Sequence, residues 1–227
     1  MNKIKVLVTS GGTKIFLDSV RAITNMSKGT FGTKIAQEFV DRFYDVTFLY
    51  AKESKRPTNH HDLDRINFVT YVSFEDYERE LNLQLAKQPD IIVLAAAVSD
   101  YGVENPVNGK IRSGDDLVIR LKPLPKLIST VREKCKDAVI CGFKLLVNST
   151  DDELYNAVEN SIKKNDCDLV VGNDLRDIKQ GKHRLLLGTK TYTTESPVRF
   201  YIYNSEFDYL AGKVVDHCEM QYNNLLR

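Results

Sequence analysis

Along this chain, short runs of almost unbroken apolar residues alternate with longer stretches in which apolar residues recur every three or four positions. The short runs predict strands at 4–9, 45–50, 66–71, 90–95, 138–143 and 168–171, and the longer stretches predict helices near 30–43, 73–87, 125–136 and 151–165. Most of these strands lack the alternation of polar and apolar positions that a half-exposed strand shows. They read as strands covered on both faces, as in a parallel sheet. Strand followed by helix at this spacing gives βαβ units with right-handed crossovers. The expected fold is therefore a three-layer, Rossmann-like α/β sandwich around a mostly parallel sheet.

Two regions break the rhythm. Residues 99–122 are polar and punctuated by Gly and Pro, with a strand expected over Leu117–Leu121; about 101–116 read as a flap-like insertion. Residues 176–203 carry basic turns and two strand-like runs, Arg184–Leu187 and Val198–Tyr203, which together form an antiparallel hairpin extension. Such a hairpin is either a plain sheet edge or a subunit contact. A helix over about 205–225 closes the chain. With no internal repeat, low-complexity tract or linker, residues 1–227 read as a single domain.

Composition narrows the class. The 227 residues are 42% hydrophobic and 28% charged, the make-up of a folded globular protein. Lys and Arg number 32 against 31 Asp and Glu, a net charge of +1, which argues against a nucleic-acid coat. No run approaches the roughly 18 apolar residues of a membrane span. The N-terminus passes straight into a strand rather than a signal peptide. Cys135, Cys141, Cys167 and Cys218 form no CxxC pair and read as reduced thiols used as small hydrophobes. The expectation is a soluble cytoplasmic protein with no nucleic-acid or membrane partner.

In a doubly wound sheet, ligands bind beyond the carboxyl ends of the strands, near the point where strand order reverses. Three such ends carry candidate chemistry. Ser10-Gly11-Gly12-Thr13 follows the first strand; its glycines allow close backbone approach to phosphate oxygens, or simply make a tight turn. It matches neither GxGxxG nor the Walker pattern. Thr24 to Gly32 precedes a helix, and there Ser27, Lys28 and Gly29 read either as an anion site or as ordinary helix capping by Ser27 or Thr30. Ala95 to Tyr101 offers small residues beside Asp100, which can orient a ligand or only form a turn. Beyond it, Lys110, Arg112, Arg120, Lys122 and Lys126 face only Asp115 and Asp116, a local net charge of +3. That stretch is either a solvated face or a loop that closes over an anion.

Other signals are thin. His60-His61 beside Asp62 and Asp64 reads as a surface loop, and His183 and His217 are isolated. No GxSxG, HExxH or paired-cysteine metal site is present.

The ordered series SGGT (10–13), DSVRAITNMSKGTFG (18–32), AAAVSDY (95–101), GKIR (109–112), GF-K (142–144) and DLVVGND (168–174) resembles phosphopantothenoylcysteine synthetase, the phosphopantothenate–cysteine ligase of coenzyme A biosynthesis, in its monofunctional bacterial form. The resemblance spans roughly residues 4–175 and keeps both motif order and spacing. It implies that 4′-phosphopantothenate is activated by CTP or ATP as an acyl-nucleotide with release of pyrophosphate. L-cysteine then forms the amide, and Mg²⁺ accompanies the triphosphate. It also implies a homodimer.

By the same resemblance, Asn25 contacts the acyl group, Lys110 is the flap lysine over the nucleotide, and Asp100 is the nucleotide-binding aspartate. Ala96, Lys126, Phe143 and Lys164 (with Lys163 beside it) fall on the nucleotide side. Gly11, Gly12, Ser27, Lys28 and Gly29 line the phosphate and substrate side. The chain departs from the family where Lys144-Leu145-Leu146-Val147 replaces the usual Glu-Thr after the Phe, a start that resembles eukaryotic relatives. Leu124-Pro125-Lys126 also lacks an aspartate, so the resemblance leaves CTP and ATP both open. Because the first strand begins at residue 4, no flavin half is expected, and no FMN. The competing readings are a NAD(P)- or flavin-dependent oxidoreductase and a catalytically silent nucleotide-binding protein.

Overall fold

The computed structural model describes residues 3–58, 63–114, 116–191 and 197–226; His60, His61, Asp62 and Asp115 lie outside them. Six parallel strands make the centre of an eight-stranded sheet, in the spatial order β5 (Ile66–Tyr71), β4 (Asp45–Ala51), β1 (Lys5–Ser10), β6 (Ile91–Leu94), β9 (Val139–Leu146) and β10 (Leu169–Asp174). β11 (Arg184–Lys190) and β12 (Val198–Asn204) continue it antiparallel, as the hairpin extension anticipates. The apolar runs are apolar because both faces are covered. Val6, Val8, Ile91 and Val93 point into one core under helices α1 (Thr30–Asp41) and α6 (Phe207–Leu225). Leu7, Ile92, Ile140 and Val170 point into a second core under α2 (Phe74–Leu85) and α4 (Asp151–Asn165).

α1, α2 and α4 start within one residue of where the apolar pattern predicts them. Ser73 with Asp76, and Thr150 with Glu153, form reciprocal capping boxes at the amino ends of α2 and α4. Ile35, Ala36, Phe39 and Val40 give α1 its buried stripe. All four cysteines are free and buried. Among the described residues, no helix is long and apolar enough to cross a membrane.

Two expectations are corrected. The helix expected over 125–136 is a 3-10 turn, Leu127–Thr130, continued by a single α-turn, α3 (Val131–Lys134). Pro123 and Pro125 hold Lys122 and Leu124 out of the helical region, and Lys126, extended at φ −82° and ψ 96°, is the N-cap from which the 3-10 turn starts. The strand expected over Leu117–Leu121 begins only at Leu121: β8 (Leu121–Pro123) pairs antiparallel with β7 (Tyr101–Val103), and 117–120 is loop. The alternating Leu117 and Ile119 face a groove with Leu17 and Val107 instead of a ladder partner. A short hairpin that the pattern does not reveal, β2 (Lys14–Phe16) with β3 (Ala22–Thr24), fills the loop after β1, and a short helix, α5 (Leu175–Lys179), precedes β11.

Candidate functional site

Strand order reverses between β1 and β6, which opens a crevice beyond Ser10 and Leu94. The chain leaves β1 through Gly11, whose φ is +87°, and Gly12 forms an isolated parallel bridge with Ala97 at the tip of β6. The Ala97 amide donates to the Gly11 carbonyl at 2.7 Å. The Ala97 carbonyl accepts from the Thr13 amide at 3.3 Å and from Asn25 Nδ2 at 2.8 Å. The Ala96 amide donates to Thr9 Oγ1 at 3.2 Å. Packing at Gly12 is close: a Cβ there would lie 2.8 Å from the Asn25 carbonyl oxygen. The loop carrying Asn25 is thus tied side chain and backbone to the tips of both central strands.

Past Asn25 the chain enters α1 through Gly29, whose left-handed φ of +71° serves as the N-cap. Ser10 Oγ donates to the Gly29 carbonyl at 3.0 Å, which locks the first Gly-rich turn to the second. No side chain caps α1, so capping by Ser27 or Thr30 is not what the structure uses. Ser27 Oγ instead accepts a long bond, 3.4 Å, from the Gly29 amide. Gly12, Asn25, Ser27, Lys28, Lys52 and Tyr71 border a cavity of about 300 Å³. Lys14 at its margin is neutralised by Glu53 at 2.6 Å.

On the other side of the crevice, Asp100 forms an ion pair with Lys126, and its carbonyl accepts from the Leu124 amide at 2.9 Å. Lys126, Lys144, Asn148, Ser149 and Asn156 border a larger cleft of about 850 Å³ that runs along α4. Phe143 lies one strand over from the β6 tip, and its ring turns to the α1 face, edge-on to Phe31 with centroids 6.0 Å apart. Lys163 pairs with Glu159 at 2.7 Å, whereas Lys164 borders the cleft. Lys164 nonetheless lies at the far end of α4, about 16 Å along the helix from Glu153 at 1.5 Å per residue. The structure brings Gly11, Gly12, Asn25, Ser27, Lys28, Gly29, Ala96, Asp100 and Lys126 to the strand tips; Lys164 is not among them.

Sequence reasoning misses two buried carboxylates. Asp174, at the end of β10, accepts from the Asn148 amide (3.2 Å) and from the Ser149 amide and hydroxyl (both 2.7 Å), fixing the loop that borders the larger cleft. The Ser149 hydroxyl, then its amide, hold the Asp174 carboxyl down at about 2. Asp18 is 3% exposed. Its Oδ1 accepts from the Val20 and Arg21 amides at 2.8 and 2.7 Å, and its Oδ2 accepts from Arg21 Nη1 at 2.9 Å and the Ile111 amide at 3.0 Å. The Ile111 amide is the foremost cause of its lowered pKa. Lys110, exposed, sits between Ile111 and Gly109. The signal for Asp18 is its place in the 18–32 motif, two and three residues before amides it can accept from, the pattern of an Asx turn.

The converging groups are amides, hydroxyls and ammonium ions, which donate to oxyanions and neutralise them. Among the described residues, no group of three or more His, Cys, Asp or Glu side chains is placed to hold a metal.

A family model described as the DNA/pantothenate metabolism flavoprotein C-terminal domain matches residues 1–196. The bifunctional coenzyme A biosynthesis protein CoaBC of Thermococcus kodakarensis is 35% identical over 193 residues, covering 85% of this chain and 47% of that protein. Its counterpart in Methanocaldococcus jannaschii is 33% identical over 174 residues, covering 75% and 40%. The chain thus spans about half the length, or less, of these curated relatives. Among solved structures, the DNA/pantothenate metabolism flavoprotein of Streptococcus pneumoniae matches with a TM-score of 0.83 at 28% identity, over 96% of this chain and 99% of that one. A Cab2 mutant in complex with phosphopantothenate-cysteine shares the fold at 18% identity, with a TM-score of 0.80 over 98% and 87%. With 196 consecutive residues matched, the chain belongs to the family of the DNA/pantothenate metabolism flavoprotein C-terminal domain.

Proposed function

We propose that this chain is a phosphopantothenate–cysteine ligase. The carboxylate of 4′-phosphopantothenate attacks the α-phosphorus of CTP or ATP, forming an acyl-nucleotide and expelling pyrophosphate. The amine of L-cysteine then attacks the acyl carbonyl, the amide forms as the amine loses its proton, and the nucleoside monophosphate leaves. Neither step requires a protein nucleophile, so catalysis is positioning and charge stabilisation. The observation that carries the reading is the convergence at the strand-order reversal: Asn25 held on Ala97, two Gly-rich turns locked by Ser10, and Asp100 with Lys126 across the crevice. The relatives named as coenzyme A biosynthesis proteins support it.

In this reading Asn25 addresses the acyl oxygen, and Ser27, Lys28 and Gly29 bind on the substrate side with Gly11 and Gly12. Lys110 covers the triphosphate, while Ala96, Asp100, Lys126 and Phe143 take the nucleotide; Lys164 contributes at most to the outer cleft. Mg²⁺ travels on the phosphate oxygens of the nucleotide, because the described residues offer it no cage. The enzyme is cytoplasmic and homodimeric. Exposed Val20, Met26, Tyr101, Leu117 and Val118 around the flap favour a second copy, which light scattering in solution tests. The deciding experiment is pyrophosphate release and mass detection of the amide. Release that requires nucleotide, phosphopantothenate and cysteine together is expected; none with either CTP or ATP overturns the reading. A thermal-shift panel of CTP, ATP, NADP and FMN separates the oxidoreductase and silent-protein readings.

A further inference from the structure

We infer that Asp18 is a positioning residue, a latch that makes the loop of Asn25 and the loop of Lys110 move as one body. Four sets of bonds join the segments, one of them from Arg21 Nη1 to the Ile111 carbonyl at 3.3 Å. The Ile111 amide donates to Asp18 Oδ2 at 3.0 Å. The Ser19 amide donates to the Gly109 carbonyl at 2.9 Å, and the Gly109 amide returns to Ser19 Oγ at 3.1 Å. The Val107 amide donates to the Leu17 carbonyl at 2.9 Å. Lys110 is thereby bracketed on both sides by residues bonded to the 17–19 segment, while its own side chain stays exposed. The same Asp18 carboxylate fixes the turn into β3 through the Val20 and Arg21 amides, and Asn25 follows β3 directly.

A carboxylate suits this place chemically. Asp18 takes four donors, three of them backbone amides, and has no hydrogen of its own to misplace. An Asn in its stead turns an NH₂ group against Ile111 and Arg21 or against the turn amides, so one side of the latch must open. Apart from these bonds, the described residues of the long loop between β7 and β8 are held at its base, where the strands are three residues long.

The inference rests on the proposed role of Lys110 only for its effect on turnover, and its test separates the two. Limited trypsin digestion with mass detection compares cleavage after Lys110 and Arg112 with cleavage after the distant, exposed Lys179 and Lys182. In Asp18→Asn the ratio is expected to rise about ten-fold, since local opening governs cutting. Ser19→Ala, at an exposed position, should shift it in the same direction by less, and it serves if Asp18→Asn fails to fold. An unchanged ratio in the folded variants overturns the latch, whether or not wild type makes the amide. Where it does, Asp18→Asn should slow turnover less in the Lys110→Ala background than in wild type; losses that multiply in full would show that Asp18 does not act through Lys110.

Discussion

Asn25 Nδ2 donates to the Ala97 carbonyl at 2.8 Å across 72 residues of chain, and that carbonyl also receives the Thr13 amide. The bond sets the amide plane of Asn25 at the reversal of strand order. Asn25→Asp replaces the donor with a carboxylate that must face the Ala97 carbonyl. The expected result is continued pyrophosphate release in a first turnover, with amide formation slower by about 10²-fold, the usual scale for losing one oriented donor. Rapid-quench measurement of both products checks this; unchanged amide formation would show that Asn25 does not handle the acyl-nucleotide.

The Asp100–Lys126 pair is more than half exposed on both sides. Exposed pairs contribute about 0–1 kcal/mol to stability, so Lys126→Ala should leave the urea midpoint nearly unmoved. Its effect should fall on nucleotide binding: the thermal shift given by the preferred nucleotide is expected to shrink by half or more. A large loss of stability with an intact nucleotide shift would contradict this assignment.

Gly11 joins a left-handed φ of +87° to a tight surrounding, for a Cβ there would stand 2.6 Å from Ala51 Cβ and 2.8 Å from Ser54 Oγ. Gly11→Ala should therefore cost about 2–4 kcal/mol, from backbone strain and overpacking together. Urea unfolding measures it, and a cost below about 1 kcal/mol would mean the turn relaxes freely.

Asp174 sets a pH dependence whose sign follows from its lowered pKa. Its carboxyl sits at about 2 in the folded chain against 3.8 for an ordinary Asp. The stabilisation it gives is complete above the ordinary value and is lost as pH falls from 3.8 towards 2. Wild type and Asp174→Asn should differ most in urea midpoint near neutrality and converge in acid; a gap constant with pH would refute it.

Much of the sheet is legible in the sequence because its strands are covered twice. Val6 to Val8 and Ile91 to Val93 are at most 1% exposed and carry no polar interruption. The β2–β3 hairpin leaves no such trace: Ala22, Ile23 and Thr24 are all exposed, so nothing in their order distinguishes strand from loop. Gly11, Gly12 and Gly29 mark the site loops because only glycine tolerates those turns and contacts. The clamp on Lys110 is silent for the opposite reason. The partner of Asp18 is a backbone amide 93 residues away, a group that almost any residue supplies, so the identity of Ile111 carries no record of the contact.

The reversal of strand order also has a meaning for the newborn chain. The first ninety residues contain β1, β4, β5, α1 and α2, enough to begin a sheet, and all of the Asn25 loop. Some ties of that loop are made within those residues, Thr24 Oγ1 to the Thr13 carbonyl and the Lys55 amide to the Lys28 carbonyl, but the Asn25 side chain and the Asp18 carboxylate find their distant partners only in Ala97 and Ile111. A polypeptide still emerging from the ribosome can thus hold half a fold before its site is complete, and its ligand affinity should appear only once the stretch from Ala97 to Phe143 has been translated and has room to dock.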